Sequence, residues 1–181
     1  MLDAGHGGND MGASGANSAD SEAELNLRIV LAARDKLSKL GAEVVLTRED
    51  DSYVALTERM KFVEELSPDL MISVHQNSMD YNVDITKVRG LMTLYWEYAG
   101  KLLSETMADS MSLALGRLNR GASTQRLAMV RCERYPSTLI EVGFMTNVEE
   151  LERTSSPDGI ETAAQAIADG VIEYYRRQSE N

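Results

Sequence analysis

Apolar positions along the chain fall into two periods, and their alternation predicts strands interleaved with helices. Behind a glycine-rich stretch from Gly5 to Gly15, Leu25, Ile29, Ala33, Leu37 and Leu40 recur at helical spacing until Gly41 stops the helix. Ser21-Glu22-Ala23-Glu24 opens that helix as a capping box, with Ser21 as N-cap and Glu24 reaching back to it. Glu43 to Thr47 reads as a strand, and Leu56, Met60 and Val63 mark a short helix ended before Pro68. Leu70 to Val74 is almost continuously apolar, as in strands buried on both faces of a parallel sheet. Gly90 to Trp96, Leu127 to Arg131 and Thr138 to Val142 predict three more strands. Leu103, Met107, Met111, Ala114 and Leu118 predict a third helix, and Ile160, Ala164, Ile167, Val171 and Tyr174 a last one. With Leu2-Asp3-Ala4 as the tail of a first strand, six strands interleave with four helices. The fold class is therefore α/β, one sheet flanked by helices.

Residues 1–181 show no repeat, no low-complexity segment and no linker, so they read as one domain; the abrupt first strand suggests a domain excised from a longer protein. The charge changes the picture more than the composition does. Eighteen basic against 29 acidic residues leave a net charge of −11, which argues against nucleic acid or an anionic membrane as partner. Membrane insertion is not expected either, since no apolar run approaches about 18 residues. Cys132 stands alone, so neither an internal disulfide nor a cysteine zinc site is available.

Both histidines fall at the same kind of place. His6 and His75 each follow a predicted strand at its carboxyl end, where ligands bind in open α/β sheets. A metal needs a third group, and the first turn of the first helix offers Glu22 and Glu24, with Asp3, Asp10 and Asp20 as alternatives. Glu24 has a role in the capping box; Glu22, at the first helical position, suits the positive helix terminus, although spacing alone favours reading it as a solvated first-turn acid. Glu141 lies amid Leu139, Ile140, Val142 and Phe144, where burial raises a carboxyl toward the range useful for a general acid or base. Two histidines, a carboxylate and a further Glu match a catalytic zinc site that keeps a position open for water, built from separate loops. A zinc peptidase and a non-catalytic binding domain are the competing readings.

These residues place the chain close to a known family. Leu2-Asp3-Ala4-Gly5-His6-Gly7-Gly8, Glu22 four residues before Asn26-Leu27, Val45-Leu46-Thr47-Arg48, and Leu56 with Arg59 resemble the zinc-dependent N-acetylmuramoyl-L-alanine amidases of bacterial walls. So do Ile72-Ser73-Val74-His75-Gln76-Asn77, Arg120-Gly121 and Pro136 through Asn147, in that order. The resemblance implies one zinc per chain held by His6, Glu22 and His75, with Glu141 as catalytic carboxylate. It implies a six-stranded, mostly parallel central sheet, peptidoglycan as substrate, and cleavage between N-acetylmuramic acid and L-alanine. Asn77, Arg59 and Arg131 are candidate substrate contacts, and Arg120 another. An extracellular or wall-associated location, a monomer, and a separate wall-binding module in the full-length protein complete the expectation. Only Gln76 to Arg89 separates His75 from the next strand, too short for a blocking helix, so the site is expected to be open.

Overall fold

A computed structural model describes residues 1–17, 19–80, 82 and 84–180. Five strands form the sheet, in the order β1 (Leu2–Ala4), β2 (Met71–Asn77), β5 (Ser137–Phe144), β3 (Leu91–Tyr95), β4 (Asn119–Thr124). All neighbours are parallel except β3 and β5. One face carries α1 (Glu22–Lys39), α3 (Tyr98–Leu115) and α5 (Pro157–Ser179), which close the main core over Ile72, Val74, Ile140 and Val142. The other face carries α2 (Leu56–Leu66) and a 3-10 turn, Ala128–Val130, over Met71 and Tyr135. A short α4 (Val148–Ser155) precedes α5.

The α/β class and the mostly parallel sheet are as expected, but the described residues hold five strands and not six. Glu43 to Thr47 lies beside β1 without laddering: Leu2 bonds Val45 and Thr47 through the backbone and makes a single bridge to Leu46. A three-residue β1 offers too short an edge for more. Leu127 to Arg131 is not a strand. Val130 packs with Leu94 and Leu139 while Met129 joins Val63, Met71 and Tyr135, so its apolar residues serve two clusters from one tight turn. A short apolar run does not distinguish these cases. The strand that pairs with β3 is instead the polar, largely exposed β4, which has no apolar alternation to reveal it. The third helix stops at Leu115, where Gly116 turns left-handed at φ 60°, leaving Leu118 exposed.

Strand alternation sets out the site. On β2, Met71, Ser73 and His75 face α2 while Ile72, Val74 and Gln76 face α1. Register places Asp3 beside Ser73 and His75 beside Glu141, and β3 adds Met92 opposite Glu141. Gly5 therefore follows Asp3 and Ala4 into the row of His75. The ring lies over its bare backbone: a Cβ on Gly5 would stand 2.2 Å from His75 Cε1.

Candidate metal centre

The chain leaves β1 into a turn in which His6 itself is left-handed, at φ 62°, followed by Gly7 at 134° and Gly8 at 59°. A non-glycine residue holds that conformation only where its surroundings impose it. Here Arg59 imposes it from α2: Nη2 donates to the His6 carbonyl at 2.5 Å, Nη1 to the Ala4 carbonyl at 2.6 Å and to Asp3 Oδ1 at 2.6 Å, and Nε to the Val54 carbonyl at 2.9 Å. Asp3 also accepts from Thr47 and Ser73 hydroxyls at 2.7 and 2.6 Å. Burial pushes Asp3 up, but Arg59 and the two hydroxyls outweigh it and hold the carboxyl below its ordinary value. Arg48 braces the same turn, donating to the carbonyls of Ala4, Gly5 and Ala23.

Glu22 enters from the other face. Ser21 caps α1, its hydroxyl accepting from Glu24 N–H, and this aims the first helical side chain over the strand ends. Glu22 is buried and Glu24 exposed. Glu22 Oε1 lies 2.9 Å from His75 Nδ1 and 3.3 Å from His6 Nε2, and the two rings meet edge to face at 5.0 Å. Oε1 also accepts from Gln76 N–H and Oε2 from Ala13 N–H. Gly12 gives this carboxylate its room, since a Cβ there would stand 2.7 Å from Oε2. Potential ligand atoms of His6, Glu22 and His75 all fall within 4.8 Å of one another. Burial pushes the Glu22 carboxyl up, yet contact with both imidazoles and the Ala13 amide holds it well below the usual range. His6 rises to about 9, chiefly through its contact with Glu22 and against its own burial. Asp10 Oδ1 lies 2.9 Å from His6 Nδ1, an ion-pair contact outside hydrogen-bond alignment.

Glu141 stands next to His75 across the β2–β5 register. Burial pushes it up to about 7, partly offset by His75, and its Oε2 is buried without a hydrogen-bond partner. The side chains of His6 and His75 remain 26% and 19% exposed, so the cluster reaches solvent. Between β2 and β3 the described residues form no helix; Tyr81 and Val83 lie outside the described residues. A groove of about 650 Å³ lies elsewhere, at the start of β1 and β2 among Leu40, Val44, Leu70 and Tyr175.

The remaining candidates are dispersed. Arg59 is 5% exposed and spent on protein acceptors, so it lies beneath the His6 turn and not in reach of a substrate. Arg131 borders a shallow hollow with Met60, Val63 and Glu64, close to the start of β2 and about 13 Å along that strand from His75. Asn77 closes the end of β2: its Oδ1 accepts from Ser78 N–H and its amide faces Met92 Sδ at 3.5 Å. Gln76 and Asn26 fall within the motifs read from the sequence but have no role assigned there. Gln76 Nε2 donates to Asn26 Oδ1, and Asn26 Nδ2 to the Gly5 carbonyl, which ties α1 to both histidine turns. The four-residue spacing from Glu22 to Asn26, one helical turn, is the signal that points to it.

The chain has close counterparts in both sequence and fold. The family model described as N-acetylmuramoyl-L-alanine amidase matches residues 1–173, and the chain belongs to that family. It is 33% identical to the N-acetylmuramoyl-L-alanine amidase LytC of Bacillus subtilis (strain 168), over 97% of this chain and 35% of that protein. It is 31% identical to the probable cell wall amidase LytH of Staphylococcus epidermidis, over 97% of this chain and 57% of that protein. The chain thus spans about a third to somewhat over half of these relatives. The solved catalytic domain of CwlV, an amidase from Bacillus (Paenibacillus) polymyxa var. colistinus, superposes with a TM-score of 0.90 at 33% identity, over 97% of this chain and 96% of that one. An amidase from Clostridium difficile 630 gives the same score at 30% identity, over 97% and 95%.

Proposed function

We propose that the chain is a zinc-dependent N-acetylmuramoyl-L-alanine amidase that hydrolyses the amide joining N-acetylmuramic acid to the L-alanine of the stem peptide in peptidoglycan. The observation that carries this is the convergence of His6, Glu22 and His75 within 4.8 Å beside a Glu141 whose buried oxygen has no partner. Two imidazoles and a carboxylate are the donor set of catalytic zinc sites, and a single ion per chain fits this cluster. When bound, zinc supplies Lewis acidity toward a carbonyl and a lowered pKa for water.

The protein's own groups do the rest. Ala13 and Gln76 amides fix both oxygens of Glu22, so that its orientation does not depend on the ligand. Glu141, with a proton affinity raised by burial, takes the proton of the attacking water and returns it to the alanine nitrogen as the bond breaks. Gly5 and Gly12 keep the floor of the site free of side chains. Wall location, a monomeric catalytic unit and a separate wall-binding module elsewhere in the protein accompany this reading; a domain of net charge −11 is poorly suited to hold an anionic wall by itself.

Product analysis on purified peptidoglycan tests it. New L-alanine amino termini on intact stem peptides are expected; cuts within those peptides would transfer the site to a peptidase.

A further inference from the structure

The amidase reaction proposed above, on which the assignment of Arg120 made below depends, gives its substrate a direction across the sheet. Glu141 returns its proton to the leaving nitrogen, so the peptide side of the scissile amide lies on the Glu141 side of the His6–Glu22–His75 cluster. Strand order then runs from β1, whose following turn holds His6, and β2, which carries His75, through β5 with Glu141 to β3 and β4. The stem peptide therefore extends over β3 toward β4.

A fixed cation stands there. Met92 pairs with Glu141, and its neighbour Leu91 pairs with Asn119 at the start of β4, which puts Arg120 at the Glu141 end of the sheet. The stem of Arg120 crosses Gly90, where a Cβ would lie 3.1 Å from its Cγ. Its guanidinium carbon sits 5.6 Å from the centre of the Phe144 ring at the end of β5, and Nη1 donates to the Arg89 carbonyl at 3.3 Å. Ring and carbonyl hold the group in place while it stays exposed. Among the described residues no carboxylate pairs with Arg120 or with Arg89, although the chain carries 29 acids.

We propose that Arg120 recognises a carboxylate of the stem peptide on the leaving side of the scissile bond, borne by the second residue. The reach agrees. Two strand spacings separate β5 from β4, about 10 Å, and the Arg120 side chain folds back across part of that distance. With successive Cα atoms 3.8 Å apart, a carboxylate on the second residue stands about 6 Å from the scissile nitrogen. A planar guanidinium suits a carboxylate better than a carboxamide, because it offers two parallel N–H donors and a full charge.

The test uses two N-acetylmuramoyl dipeptides that differ only in whether the α-carboxyl of the second, terminal residue is free or amidated. The wild-type protein is expected to favour the free acid by about tenfold to a hundredfold in kcat/KM, the difference residing in KM. Arg120→Ala collapses that ratio toward one, and Arg120→Lys keeps part of it. A wild-type ratio near one, or a ratio that survives Arg120→Ala, overturns the proposal. Turnover of neither substrate contradicts the amidase reading itself. Calorimetric binding of the free-acid dipeptide then decides on Arg120 separately: tighter binding by wild type than by Arg120→Ala supports it, and equal binding overturns it.

Discussion

Arg59 offers the sharpest mutational test of how the His6 turn is held. Arg59→Met keeps a stem of similar shape and removes the guanidinium, with its bonds to the carbonyls of Ala4, His6 and Val54 and to Asp3. Asp3 is left 1% exposed with two hydroxyl donors and no contacting cation. Breaking a buried pair in this way costs about 3–5 kcal/mol. For a domain of this size that lowers the melting temperature by roughly 6–20 °C. Differential scanning calorimetry and urea titration measure it. Zinc affinity is expected to fall in the same variant, because His6 at φ 62° loses the donor on its carbonyl. Adding Asp3→Asn removes the stranded charge and returns about 2 kcal/mol of coupling in a double-mutant cycle. A substrate-binding arginine would behave otherwise, raising KM with stability intact. A loss below about 1 kcal/mol, with no coupling to Asp3, would rule out Arg59 as the brace of this turn.

Further substitutions separate the roles in the site. Glu141→Gln is expected to retain zinc, by metal analysis, while the rate falls roughly 10²- to 10⁴-fold; substantial activity would remove Glu141 from proton transfer. Gly5→Ala drives a methyl into the His75 ring, 2.2 Å from Cε1, and should weaken zinc binding about 10- to 100-fold in a competition with a chromogenic chelator. The Asp3 carboxyl is held below its unfolded value, so its contribution to stability is complete above about pH 4 and is lost as pH falls through the lower folded value. Acid titration of melting temperature should show this limb in the wild type and a flatter one in Asp3→Asn.

Much of this architecture is written in the helical and apolar strand patterns, because α1, α5 and β2 are buried on predictable faces. Where burial carries no information, the pattern fails. β4 is held by backbone pairing to β3 with polar side chains outward, and Asn147 caps an α4 only eight residues long. Leu127 to Arg131 fails for the opposite reason, since its apolar residues are buried but on two sides of a turn. His6, His75 and Glu141 are legible from their places at strand ends or within an apolar strand. Glu22 over Glu24 rests in sequence on the family resemblance, and in the fold on burial and contact with both imidazoles. Arg59 and Arg131 show the limit. A cation's value to a substrate depends on which acceptors already surround it, and those come from residues distant in sequence, such as Asp3 and Ala4.

One zinc, held by His6, Glu22 and His75, is proposed to serve hydrolysis at the muramoyl–alanine bond. The decisive assay is peptide release from purified sacculi, before and after chelation and again after zinc is restored at one equivalent per chain. Intact stem peptides beginning with L-alanine are expected, released by the wild type, abolished by the chelator and recovered with zinc. Release that persists through chelation, or no release from protein shown to hold its zinc, would overturn the assignment.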